Sequence, residues 1–158
     1  MSTDQATTTG QDAGPFPIDR SPDTFKLEAE TDIRNRHGAF GWSELATKDP
    51  EAAADYYAKV FGWQYHSFDM NGGLYRVITI NGHGVGGIRA PMPGEPEETR
   101  WLTFVSVKDV KAMADSVAAA GGTVVVPVTE LPGIGKMAGM IDPTGGQTYA
   151  FEYDKPFF

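Results

Sequence analysis

The segment Gly82-His83-Gly84-Val85-Gly86-Gly87 has the G-x-G-x-x-G spacing that lets a backbone cradle a pyrophosphate when a strand precedes it and a helix follows. The strand is there: Leu74–Ile80 alternates large apolar and polar residues and is rich in β-branched ones. The helix is not, because Pro91, Pro93 and Pro96 each lack the N–H a helix needs. Without a helix N-terminus the glycines cannot do phosphate chemistry. The segment reads instead as a hairpin, with Asn81-Gly82 as its two-residue turn and a second strand from Val85. Glycines inside a strand mark a bulge or the close approach of another group, so Gly86 and Gly87 are candidates for shaping a pocket.

Other reactive groups are sparse. There is no cysteine, hence no thiolate nucleophile, disulfide or thiolate metal ligand. His37 precedes the first predicted strand, His66 follows the first helix and His83 sits in the hairpin turn; each reads as a surface or hydrogen-bonded histidine before a metal ligand. Two carboxylates stand out, Glu44 and Glu152. Glu44 lies mid-strand between Trp42 and Leu45 and must find water, a partner or a ligand. Buried alone, it would have a raised pKa and could act as a general base. The plainer reading is an ion pair with Arg76, Arg89 or Arg100. A lone Lys136 reads as solvated, and no ordered Ser-His-Asp set can be assembled.

These residues need a scaffold, and composition bounds it. A chain of 158 residues, 41% of them apolar, suffices for one ordinary domain. No apolar run is long enough to span a membrane, and the N-terminus lacks the basic start and apolar stretch of a signal peptide, so a cytoplasmic protein without membrane contact is expected. A net charge of −8 and no Lys/Arg cluster argue against nucleic acid as a partner. Residues 1–33 are poor in large apolar side chains and predict a flexible tail and lead-in.

The middle of the chain repeats. Shifted by sixty positions, Lys48–Gly62 falls on Lys108–Gly122 with seven of fifteen residues identical, among them Lys48/Lys108, Asp49/Asp109 and Gly62/Gly122. Each copy predicts a helix: Asp49 or Asp109 caps its N-terminus, Pro50 occupies the first helical position of the first copy, and Gly62 or Gly121-Gly122 ends it. Ala53, Tyr56, Tyr57, Val60 and Phe61 form the apolar stripe of the first helix; Val110, Met113, Val117 and Ala120 form that of the second. A strand precedes each helix and three strand-like runs follow. The pattern is βαβββ twice, about residues 37–90 and 99–155, joined by the proline-rich linker 91–98 within a domain spanning 34–158.

On the segments "GWSELATKDPEAAADYYAKVFGW" (41–63), "WLTFVSVKDVKAMADSVAAAGG" (101–122), "LPGIGKMAGMIDPTGG" (131–146) and "YAFEY" (149–153), the chain resembles the vicinal oxygen chelate superfamily, the glyoxalase, bleomycin-resistance and extradiol-dioxygenase group. The resemblance implies an α+β fold in which two tandem βαβββ modules form curved mixed sheets around a cleft. In metal-dependent members, ligands stand seven residues before each helix-capping Asp and on the last strand of each module. Here the two first-strand positions are Trp42 and Leu102, and the last-strand position seven residues after Asp142 is Tyr149, none of them a ligand for a divalent metal. No metal and no cofactor are therefore expected.

The resemblance further implies that Trp42, Glu44 and Ala46 face the cleft from the first strand. Leu102 and Phe104 face it from the second module, as do Tyr149 and Phe151 from the last strand, with Tyr75 a candidate from a neighbouring one. Such a lining suits a small aromatic or hydrophobic molecule, with Glu44 or the Tyr149 hydroxyl fixing its polar end. For Phe104 and Phe151, plain core packing is an equal reading. Three functions follow: metal-independent binding; an isomerase, lyase or cyclase in which Glu44, with Tyr149, transfers protons; and a divalent-metal lyase or dioxygenase drawing on Glu44, Glu152 and a histidine. Resistance members of the superfamily commonly pair, so a homodimer is the expected assembly.

Overall fold

The computed structural model describes residues 33–70 and 72–154; the tail and most of the lead-in expected over 1–33 lie outside them. After a 3-10 turn at Ile33–Asn35 come β1 (Phe40–Ala46), α1 (Pro50–Phe61), β2 (Gln64–Met70), β3 (Gly73–Ile80) and β4 (His83–Arg89). The second module repeats the order with β5 (Arg100–Ser106), α2 (Val110–Val117), β6 (Thr123–Leu131), β7 (Gly135–Ile141) and β8 (Gln147–Tyr153). This is the βαβββ duplication the sequence predicts. The strands form one curved, unclosed mixed sheet of eight, ordered β2-β3-β4-β1-β5-β8-β7-β6. The modules join strand to strand where β1 runs antiparallel to β5, while β1–β4 and β5–β8 are parallel.

Both helices start where the repeat requires. Asp49 accepts the Ala52 N–H at 3.0 Å and Asp109 the Ala112 N–H at 2.8 Å, satisfying donors left free in each first turn. Gly62 ends α1 in the left-handed region, at φ 71°. The β3–β4 hairpin turns through Asn81 (φ 51°) and Gly82 (φ 80°), two consecutive positive φ values of the kind that matches strand twist in a two-residue turn. Strand β4 begins at His83, two residues before the expected Val85, because the turn uses only Asn81 and Gly82.

Alternation along the strands divides the core. Leu45, Ile78 and Ile88 point outward and pack beneath α1 with Ala54, while Ala138 and Ala150 lie beneath α2 with Val110. Inside the curve, Ala46, Leu102, Phe104, Met137, Tyr149 and Phe151 form a third cluster. The expected stripe of α1 is only partly used. The buried residue of the helix is Ala54, which lies outside that stripe; of the stripe, Ala53 and Tyr57 pack at the margin, and Tyr56, Val60 and Phe61 are each more than half exposed. The helix meets its sheet through small residues, which turns the larger ones outward. Among the described residues no helix is long and apolar enough to cross a membrane.

Candidate functional site

The concave face of the sheet encloses a cavity of about 450 Å³, within the range of small-molecule sites. Both modules line it. Trp42 and Glu44 come from β1, His66, Phe68 and Met70 from β2, Tyr75, Val77 and Thr79 from β3, and Phe104, Met137, Phe151 and Tyr153 from the second module. Edge strand β2 and the turn after β6, with Leu131 and Ile134, both reach the wall, so the two ends of the sheet contribute to one chamber.

A chain of hydrogen bonds forms the floor. Trp42 Nε1 donates to the Tyr75 hydroxyl (2.9 Å), which donates to Glu44 Oε2 (2.8 Å). Arg89 Nε donates to Glu44 Oε1 (2.6 Å). Nη1 and Nη2 of the same guanidinium hold both oxygens of Glu95 at 2.6 and 3.0 Å. Of the ion-pair partners open to Glu44, the fold selects Arg89, which stands opposite Tyr75 on the same concave face. Burial pushes the Tyr75 phenol well above its ordinary pKa, and the adjacent Glu44 charge adds to the rise. Burial alone would lower the Arg89 guanidinium, yet Glu95 and Glu44 outweigh it and hold it above its usual value. For Glu95, burial acts upward, while hydrogen bonds from Arg89 and the Met92 N–H prevail and lower its pKa.

Two glycines of the Gly82–Gly87 segment make room for this floor. A side chain at Gly87 would collide with the Tyr75 hydroxyl and ring, and one at Gly86 would lie 2.7 Å from the Ser43 carbonyl oxygen. The close approach expected of these glycines is thus to a tyrosine ring and a backbone, not to a phosphate. Gly82 and Gly84 line the cavity itself.

The candidate residues divide into two groups. Trp42, Glu44, Tyr75, Phe104 and Phe151 meet at the cavity. Leu102 and Tyr149, 4% and 1% exposed, belong to the inner core cluster and are not among the lining residues. Tyr149 packs 5.0 Å from the Phe104 ring and its hydroxyl accepts from Gln147 Nε2 at 3.2 Å. Glu152 is spent elsewhere: its Oε2 accepts the Val110 N–H at 2.9 Å, capping α2. His66, read from sequence as a surface or hydrogen-bonded histidine, is exposed but lines the cavity. Met92 does so from the linker, whose Glu95 is anchored by Arg89. Neither was legible beforehand, because β2 carries large side chains on both faces and the linker shows no periodicity.

The donor set does not fit a divalent metal. Trp42, Leu102 and Tyr149 stand at three positions the family resemblance assigns to ligands, Glu44 has both oxygens engaged, and among the described residues no three His, Asp or Glu side chains gather.

Residues 39–148 match the family model of the Glyoxalase/Bleomycin resistance protein/Dioxygenase superfamily. The chain belongs to that superfamily. Its similarity to CFP32 of Mycobacterium tuberculosis, a protein named as a glyoxylase, is 38% identity over 114 residues, covering 70% of this chain and 44% of that protein. The anthracycline biosynthesis protein DauV of a Streptomyces species is 28% identical over 122 residues, covering 68% of this chain and 44% of DauV. This superfamily member therefore spans less than half the length of the curated relatives it matches. Among solved structures it is similar in fold to a methylmalonyl-CoA epimerase of Streptomyces coelicolor (TM-score 0.57, 15% identity, 76% of this chain and 100% of that one). It is similar also to the Mn(II)-bound glyoxalase of Novosphingobium aromaticivorans (TM-score 0.52, 23% identity, 74% of this chain and 39% of that one).

Proposed function

We propose that this superfamily member is a metal-independent binding protein that holds a small planar aromatic or largely apolar molecule in the cavity between its modules. One observation carries the reading: the cavity wall is built from aromatic, Met and aliphatic side chains, and the polar groups of its floor are bonded to one another. A ligand gains most there by burying flat apolar surface, at about 25 cal/mol per Å² removed from water. DauV supports the same class of ligand, since its name ties it to anthracyclines, which are fused-ring aromatics.

Proton transfer by Glu44 with Tyr149 is the weaker alternative. Tyr75 and Arg89 occupy both Glu44 oxygens, and Tyr149 lies in the core. A substrate would have to displace the Tyr75 hydroxyl from Oε2, or compete with the Arg89 guanidinium at Oε1, before Glu44 could take a proton.

The test is calorimetric titration of the full chain, purified without a metal-affinity step, with anthraquinone-type compounds, alongside elemental mass spectrometry. Saturable binding of one molecule per chain without stoichiometric metal is the expected result. One equivalent of Zn, Mn, Fe or Ni per chain, whose removal abolishes binding or turnover, would overturn it.

A further inference from the structure

Resting on that reading, we propose that His66, with Thr79 beside it, forms the polar end of the cavity and selects aromatic ligands that carry a hydroxyl or carbonyl oxygen at one edge. Recognition of such an oxygen needs a donor or acceptor not already committed. The floor offers little: the Trp42 N–H goes to Tyr75, the Tyr75 O–H to Glu44, and Glu44 lies between Tyr75 and Arg89. Arg34 also lines the chamber, with its guanidinium carbon 5.9 Å from the centre of the Trp42 ring.

His66 differs in kind. Among the described residues neither of its ring nitrogens has a hydrogen-bond partner, nor does the Thr79 hydroxyl, and both side chains line the cavity. In the β2–β3 ladder His66 stands opposite Val77 and Gln64 opposite Thr79, which makes His66 and Thr79 diagonal neighbours on the concave face. An imidazole offers one donor and one acceptor, and a hydroxyl offers both, so together they can meet a phenol or a quinone oxygen.

The backbone at this corner is irregular in a way that gives the ligand space. Between β3 and β4 the pairing passes from Ile78–Gly86 to Thr79–Gly84, leaving Val85 without an opposite residue. Such a bulge bends the strand and re-aims its neighbours, and this one lies beside Thr79 and Gly84. Gly84 and Gly82 bring no side chain to the wall they help form. The corner is thus open, polar and uncommitted, while the remaining wall is mainly apolar.

The experiment compares anthracene, which carries no oxygen, with 1,2-dihydroxyanthraquinone, titrated by calorimetry into the full chain and into its His66→Leu and His66→Gln variants. His66 is exposed, so both variants should keep the wild-type circular dichroism spectrum and unfolding midpoint. Wild type should prefer the dihydroxy compound by roughly tenfold, the effect of one good hydrogen bond. His66→Leu should erase that preference by weakening the dihydroxy compound alone, and His66→Gln should retain part of it. An undiminished preference in His66→Leu, or equal affinities in wild type, would overturn the assignment while leaving the binding function intact. Failure of both compounds to bind wild type would overturn the binding function and the assignment together.

Discussion

Arg89 Nε lies 2.6 Å from Glu44 Oε1 in a pair whose side chains are only 4% and 7% exposed. At such burial the Glu44 charge depends on Arg89, whose guanidinium also holds Glu95, because an unpaired ion in the interior costs several kcal/mol. Arg89→Ala should therefore destabilise the protein by about 3–5 kcal/mol in urea denaturation. Combining Arg89→Met with Glu44→Gln should cost clearly less than the two single changes summed. Additive losses would show that the pair is not coupled.

Gly87→Ala tests the space beneath Tyr75. The added methyl meets the phenol directly, so Tyr75 must move, at a cost of roughly 1–3 kcal/mol and with disruption of its bond to Trp42. Thermal unfolding and the tryptophan emission spectrum should both change. Gly73→Ala is the control, since its methyl would find only the Met70 carbonyl oxygen, at 3.8 Å. If the two variants behave alike, the close approach is wrong.

Glu95 gives the protein an acid limb. Its folded pKa is lowered, so its contribution to stability is present above the unfolded Glu value and is lost as pH falls through the folded value. Unfolding midpoints measured from pH 7 down to pH 3 should fall less steeply in Glu95→Gln than in wild type. Tyr75 acts at the other extreme. Its raised pKa gives a contribution complete below the unfolded Tyr value and lost as pH climbs past it, so Tyr75→Phe should flatten the alkaline limb.

The start of α2 is capped twice, by Asp109 at Ala112 N–H and by Glu152 at Val110 N–H. Asp109→Ala should cost about 1 kcal/mol. Glu152→Gln, which keeps an acceptor, should cost less than Glu152→Ala. Ligand affinity should be unaffected in all three, because these side chains lie outside the cavity lining; a change in affinity would return Glu152 to the site.

Much of this was legible in the chain. Asp49 and Asp109, the glycine at 62 and the Asn81-Gly82 turn each carry a local signal with one geometric solution, and the duplication fixed their order. Alternation sorted the strand residues by face, and the family resemblance, which said which face was concave, placed Trp42, Glu44, Phe104 and Phe151 at the cavity. The same rule misplaced Tyr149 and Leu102 at the wall, since alternation tells which side of a sheet a residue faces but not how deep the packing covers it. His66 escaped because Tyr65 and Phe68 put bulk on opposite faces of β2. Arg89 was among the three arginines open to Glu44, but its meeting with Glu95 escaped because it depends on how the proline-rich linker folds back, which no periodicity encodes.

The antiparallel seam of β1 with β5 has a bearing on ancestry. A single βαβββ unit leaves the outer edge of its first strand open, with a row of unpaired N–H and C=O groups. Here that edge is closed by β5 of the second unit, first strand against first strand, the same pairing two separate like units would make. Fused halves need preserve only the seam. One could then specialise in the Glu44–Arg89 floor and the other in a hydrocarbon wall, which is the division of labour seen across this cavity.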